Sequence, residues 1–207
     1  MVTHYDVRLT PCAQPDARVF VRGRGAVVTL PAVRVSLIAV QSIDGFITRG
    51  ELAGAGFASP ADQRRFRQLL AATDCSIFGA GTYRAEREVL RRGLTTSRVR
   101  KVLTRRPDDL AADAVPGQLE FTASSPRELV AELRDAGKQH CSLLGGAQVY
   151  GAFLADGLVD ELCLSIEPWL FGRGVRLADV VAPLQLRLAA VEQIGPDTLF
   201  VRYRPAG

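Results

Sequence analysis

Two short segments of this chain carry residues whose types and spacing suit one kind of chemistry, the holding of phosphate: Gly145-Gly146-Ala147-Gln148 and Gly79-Ala80-Gly81-Thr82; a third, Thr104-Arg105, falls at the end of a neighbouring apolar segment. In the first, the apolar run His140 to Leu144 stops at two glycines, and a helical pattern of Ala147, Tyr150, Ala152, Phe153 and Leu154 begins at once. A strand, a glycine turn and a helix start gather unpaired amides and the positive end of a helix dipole at one point. Glycine also lets an anion come close to the backbone. The plainer alternative is that the glycines only turn the chain. Gly79 to Thr82 repeats the arrangement after the apolar run Cys75 to Phe78, and Thr104-Arg105 ends a further apolar segment.

The surrounding elements must bring these turns to one edge. Val33 to Gln41, Cys75 to Phe78, Lys101 to Thr104 (with Val99 before it), Leu119 to Thr122 and His140 to Leu144 read as strands. Ser59 starts a helix with Pro60 at its first position and Asp62 three residues on, and Ser125-Pro126 starts another that ends before Gly137. In the first of these, Ala61, Phe66, Leu69, Leu70 and Thr73 share a face, which leaves Arg64, Arg65 and Arg67 toward solvent. A charged helix follows Thr82 to about Arg92, and another spans Ala147 to Ala155. Alternation returns over Leu158 to Ile166, and Gln185 to Gln193 and Thr198 to Arg204 flank Gly195-Pro196-Asp197 as a hairpin. The order predicts an α/β fold with a mostly parallel central sheet, helices on both faces and a C-terminal antiparallel hairpin. In such sheets ligands bind outside the carboxyl ends of the strands, where all three segments fall.

Composition narrows the possibilities. The 207 residues, 47% hydrophobic and 23% charged, suit one globular domain over residues 32–207, preceded by a proline-containing extension over residues 1–31. Twenty-six basic against 22 acidic residues give +4, a mild preference for anionic ligands. The basic residues are dispersed among acids and not interleaved with aromatics, which argues against nucleic-acid binding. Cys12, Cys75, Cys141 and Cys163 form no Cys-x-x-Cys pair, and the last three lie in apolar runs, as free thiols of a reducing compartment do. His4 and His140 lack neighbours for a metal site, so no metal is expected. No apolar run reaches the ~18 residues of a membrane span, and the amino-terminal stretch is not built like a signal peptide. A cytoplasmic protein is expected.

Taken in order, Ser36-Leu37-Ile38-Ala39-Val40-Gln41-Ser42-Ile43-Asp44-Gly45, Ser59-Pro60-Ala61-Asp62, Gly79-Ala80-Gly81-Thr82, Val102-Leu103-Thr104-Arg105 and Leu144-Gly145-Gly146-Ala147-Gln148-Val149-Tyr150 resemble the dihydrofolate-reductase-like fold. Gly157-Leu158-Val159-Asp160-Glu161-Leu162, continuing to Glu167-Pro168-Trp169-Leu170-Phe171-Gly172, is similar to its pyrimidine reductase branch. That branch is the C-terminal domain of the bifunctional deaminase-reductase of riboflavin biosynthesis. The resemblance covers about Val33 to Gly172. It implies that NADPH is the cofactor, with Gly79, Ala80, Gly81, Thr82, Gly145, Gly146, Ala147 and Gln148 cradling its pyrophosphate. Thr104 and Arg105 would meet the 2′-phosphate, the alternative for Arg105 being a solvent-facing loop charge. Ala39 and Val40 would offer backbone contacts to the nicotinamide, with Ser42, Asp44 and Gly45 shaping the substrate-side loop over it; Asp44-Gly45 also suits a simple tight turn. Asp62 matches the acid that holds the heterocycle and assists its protonation in the folate-reducing branch, or else only stabilises its helix start. The implied reaction is hydride transfer to an electron-poor carbon bonded to nitrogen. Family members dimerise through the late strands, for which the apolar hairpin with Trp169 and Phe171 would serve unless these side chains are core.

Two positions depart from the family. Leu144 stands where the riboflavin-pathway reductases carry an acid before the paired glycines, and Glu86-Arg87-Glu88-Val89-Leu90 replaces a segment that leads into Asp-Pro and Leu-Thr. No His-x-Glu followed by Pro-Cys-x-x-Cys occurs, so a stand-alone reductase without a deaminase is expected. The leading expectation is an enzyme similar to 5-amino-6-(5-phosphoribosylamino)uracil reductase. A dihydrofolate or other pterin reductase is favoured by Asp62 and disfavoured by the segment Gly157 to Gly172. A nucleotide-binding homologue without catalysis is left open by Leu144.

Overall fold

The computed structural model describes residues 32–50, 54, 56–179 and 182–206; the extension 1–31, with Cys12, lies outside them. Strands β1 (Arg34–Ser42), β2 (Cys75–Gly79), β3 (Val99–Leu103), β4 (Leu119–Thr122), β5 (His140–Leu143), β6 (Glu161–Glu167), β7 (Leu186–Gln193) and β8 (Leu199–Pro205) form one sheet in the order β4-β3-β2-β5-β1-β6-β8-β7. Every pair from β4 to β6 is parallel, and β8 runs antiparallel to both β6 and β7. The crossovers are helices α1 (Pro60–Ala71), α2 (Ala80–Ala85), α3 (Arg87–Arg92), α4 (Pro126–Asp135) and α5 (Ala147–Ala155), with a 3-10 turn at Pro107–Asp113. The alternating strand and helix patterns thus produce the parallel sheet they predict, and the tail hairpin pairs as expected.

Period-two placement on the strands sends side chains to two cores. Val35, Leu37, Ile77 and Leu143 pack with Leu129 and Leu133 of α4 and Tyr150 and Phe153 of α5. On the other side, Ile38, Cys163 and Phe200 meet Phe66 and Leu69 of α1, while Phe78, Val102 and Leu119 meet Tyr83 of α2. Each fully buried aliphatic side chain contributes roughly 1.5–3 kcal/mol. Cys75, Cys141 and Cys163 are buried free thiols, as their apolar runs require. Burial and the neighbouring Glu161 push the Cys163 thiol up to about 12.

The helix starts fall into two kinds. At α1 the Ser59 hydroxyl accepts from the Asp62 amide at 3.2 Å, and at α4 Ser125 and Glu128 make a reciprocal capping box. The starts of α2 and α5, after Gly79 and Gly146, carry no side-chain cap. Serine and proline therefore close the starts of α1 and α4, whereas the glycine starts of α2 and α5 keep their first amides free of a side-chain cap.

Three expectations need correction. The segment after Thr82 is two short helices, because Glu86 leaves helical geometry and redirects the chain so that Arg87 reaches Asp113. Arg65 does not point to solvent: its guanidinium lies 4.7 Å over the Phe200 ring and pairs with Glu192. The strand begins at Glu161 and does not alternate in burial, since β6 lies between β1 and β8 with both faces covered. Asp160, just before it, accepts from the Val35 amide at 2.7 Å and pins β6 to β1.

Candidate active site

The two glycine turns meet because β2 and β5 are neighbours, with Ile77 opposite Leu143. Beyond the last ladder pair, the Leu144 amide donates to Ile77 at 2.8 Å and the Gly79 amide to the Gly145 carbonyl at 2.7 Å. The Gly145–Gly146 peptide is cis, and Gly145 has φ 97°. A Cβ on Gly145 would lie 3.1 Å from the Tyr150 ring, so both conformation and space call for glycine there. The Tyr150 hydroxyl donates to the Ile38 carbonyl at 2.6 Å, and burial pushes the phenol up, which keeps it a neutral donor. Thr82 reaches across to the second turn, its hydroxyl 3.5 Å from where a Gly146 Cβ would sit. Uncapped amides, an approach kept open by glycine and a hydroxyl at the joint fit a diphosphate in size and charge.

The other expected cofactor residues line the same rim in the order of their strands. Thr104 follows β3, where its amide donates to the Thr122 carbonyl at 2.9 Å and its hydroxyl accepts from the Arg106 amide at 3.2 Å. Arg105 beside it is exposed and makes no ion pair among the described residues. Ala39 and Val40 sit half-buried near the end of β1, between β5 and β6. The turn that follows is fastened from both sides. The Ser42 hydroxyl donates to Asp44 at 2.6 Å and accepts from the Phe46 amide at 3.0 Å. Asp44 also accepts from the amides of Phe171, at 3.0 Å, and Gly172, at 2.7 Å. The Ser42 hydroxyl and these amides hold its carboxyl below the usual range. Ser42 and Asp44 are thus engaged with the protein itself and latch the loop to residues 169–172. Gly45, with φ 84°, makes the tight turn between them.

Asp62 is buried at 8% exposure on the first turn of α1. Burial raises its pKa, the Ser165 hydroxyl opposes this, and the charge of Glu167 adds to it. Ser165 is the register partner of Val40, so the acid faces the same stretch of β1 that ends beneath the turn. Glu167, 2% exposed, accepts from the Ser59 amide at 2.8 Å and from the Thr198 hydroxyl at 3.0 Å. Sequence reasoning missed Ser165, Glu167 and Thr198. The available signal was a glutamate closing the apolar strand Glu-Leu-Cys-Leu-Ser-Ile-Glu. On the loop that precedes α1, Phe57 packs edge-on to Phe171 at 4.9 Å, and Trp169 stacks on Phe171 at 6.4 Å. Trp169 remains 48% exposed, so these side chains form a wall at the rim and not a core.

The two departures have local explanations. Leu144 is half-buried and packs against both cores on the α1 side, so an apolar contact takes the place of the acid. In the segment Glu86 to Leu90, Arg87 binds Asp113, which also accepts from the buried Tyr83 hydroxyl at 2.8 Å. Arg87 and this hydroxyl lower the Asp113 carboxyl to about 2. Among the described residues no group of His, Cys, Asp and Glu is placed to hold a metal, and no helix is long and apolar enough to cross a membrane.

No curated protein matches the sequence. Among solved structures, the deaminase/5-amino-6-(5-phosphoribosylamino)uracil reductase of Thermotoga maritima superposes with a TM-score of 0.66 at 20% identity over 84% of this chain and 57% of that one. Riboflavin Biosynthesis Reductase Rib7 of Saccharomyces cerevisiae gives 0.66 at 15% identity over 84% and 90%. Dihydrofolate reductase of Enterococcus faecalis, complexed with NADP(H), gives 0.58 at 16% identity over 84% and 97%, so the fold is dihydrofolate-reductase-like. The RibD C-terminal domain family matches residues 33–200, nearly the whole described sheet with its glycine turns and buried acid, and this chain belongs to that family.

Proposed function

We propose that the protein is an NADPH-dependent reductase of a pyrimidine-type substrate, similar in reaction to 5-amino-6-(5-phosphoribosylamino)uracil reductase. The observation that carries this is the order of groups along one rim: Thr104 and Arg105 after β3, the glycine turns after β2 and β5, Ala39 and Val40 on β1, then Asp62 against β6. From β3 to β1 is three strand spacings, about 14 Å at ~4.8 Å each, a lane for an extended dinucleotide. The adenosine 2′-phosphate belongs beside Arg105, the diphosphate in the glycine cradle and the nicotinamide over Ala39 and Val40. When bound, NADPH supplies a hydride.

The protein's own residues do the rest. Tyr150 and the Gly79–Gly145 bond fix the cradle, the Ser42–Asp44 latch shapes the loop above it, and the Phe57–Phe171–Trp169 wall offers a flat apolar face to a planar heterocycle. Asp62 holds the proton for the substrate nitrogen next to the carbon being reduced. Burial of this acid favours a catalytic enzyme over a binding homologue, since a carboxyl that only stabilised a helix start gains nothing from 8% exposure, where burial raises its pKa. A homodimer through the exposed β7 face and a cytoplasmic location complete the reading.

Fluorescence titration of NADPH against NADH, followed by loss of reduced-nicotinamide absorbance with the ribosylaminopyrimidine phosphate and with dihydrofolate, tests it. Preferential NADPH binding and oxidation with the pyrimidine are expected. No NADPH binding removes the reading, and oxidation with dihydrofolate alone moves it to the pterin branch.

A further inference from the structure

Asp62 and Glu167 are both buried and both belong to the neighbourhood of a single residue, Ser59. The Ser59 hydroxyl accepts from the Asp62 amide at 3.2 Å, and its own amide donates to Glu167 at 2.8 Å. Thr198 completes the group, donating to the second Glu167 oxygen at 3.0 Å and lying 3.1 Å from the Ser59 hydroxyl. Each oxygen of Glu167 therefore receives a hydrogen bond from a donor, the pattern of a carboxylate and not of an acid. Ser165, two residues before Glu167 and so on the same face of β6, lowers the Asp62 carboxyl against the effect of burial. Two acids in one dry corner cannot both ionise cheaply.

We propose that Glu167 is a positioning residue for the proton-donating acid: it is the fixed negative charge beside Asp62, so the pair holds one proton and Asp62 is the group that carries it. This rests on the reductase reading for its chemical use but not for its existence. The other charged groups on the packed elements do not compete. Arg65 of α1 is bound to Glu192 of β7, and Asp44 faces the amides of residues 171 and 172. Glu161 of β6 lies six residues from Glu167, about 20 Å along the strand, where Arg34, Arg202 and Arg204 surround it.

During reduction the hydride from the reduced nicotinamide forms a C–H bond at the electron-poor carbon as the carbon–nitrogen π bond breaks. The electron pair released on nitrogen takes the Asp62 proton, and the nicotinamide leaves oxidised. Asp62 is then an anion beside an anion, which drives its reprotonation from solvent before the next turnover. Glu167 thus acts twice, keeping the proton in place and restoring it.

The test is a pH titration of the ligand-free protein by carboxyl ¹³C NMR, with the Asp62 resonance assigned through D62N. In E167Q, an isostere that still accepts from the Ser59 amide, the proton affinity of Asp62 should fall roughly three- to tenfold. In T198V, Glu167 loses a donor, and its resonance should begin to move together with that of Asp62 as the proton spreads over both. An unchanged Asp62 midpoint in a folded E167Q, or a wild-type Glu167 that carries the proton itself, overturns the proposal. If E167Q does not fold, T198V decides it: Asp62 titrating alone there counts against the pair. The basic limb of the kcat/KM profile should move to lower pH in E167Q by the same factor. A shift in the titration with no shift in that limb supports the pair and removes Asp62 as the donor, which separates this proposal from the reductase reading.

Discussion

At the residue scale the proposed site divides its work between one exposed cation and one buried acid. Arg105, exposed and without an ion pair among the described residues, is free to meet a phosphate. Arg105→Ala should weaken NADPH roughly ten- to hundredfold, the size of a lost charge-assisted contact, and leave NADH nearly unchanged. Equal losses for both cofactors would return Arg105 to a loop charge. For Asp62→Asn, turnover should fall by about a hundredfold or more with NADPH affinity nearly intact, as removal of a general acid does. An unchanged rate would leave only a helix-stabilising role. The pKa of Asp62 is raised by burial, so the folded protein binds more protons than the unfolded chain between the ordinary aspartate value and the raised one. Stability should decline as pH rises through that window, and Asp62→Asn should flatten the decline in thermal melts taken across it. A steeper decline in the variant would contradict the cause assigned here.

The elements explain what the sequence made legible and what it did not. Glycine turns, the Ser59-Pro60 and Ser125-Pro126 helix starts and the alternation of strand and helix are local patterns, and each survives into the fold nearly at its expected boundary. Glu167 and Thr198 were invisible as site residues because they join Ser59 across 108 and 139 residues, through β6–β8 pairing that no local window contains. The division of the segment after Thr82 was hidden for the same reason. Its cause is Asp113, 26 residues from Arg87 and 30 from Tyr83, which draws both side chains onto one carboxylate. Asp113→Ala would leave the buried Tyr83 hydroxyl without a partner, a loss of about 1–3 kcal/mol. Urea unfolding should register it, and a change within error would show that the two helices are held by packing alone.

Across the whole molecule, the parallel half of the sheet carries the proposed ligand rim and the antiparallel half ends in an apolar edge. Leu188 and Val191 on β7 are 58% and 56% exposed. An apolar outermost strand of this kind would suit the homodimer proposed above. The native chain should sediment as a dimer, and Leu188→Glu with Val191→Glu should yield a monomer with little change in melting temperature. A native monomer would end that idea. The rim itself behaves as a ruler whose graduations are the strands. The Gly79–Gly145 bond fixes its midpoint, so the two ends of the proposed dinucleotide would be measured outward from one mark. An analogue with a lengthened or shortened bridge between its two halves fits one end only. Its nicotinamide then falls out of step with Val40 and Ser165, and it occupies the lane without reacting.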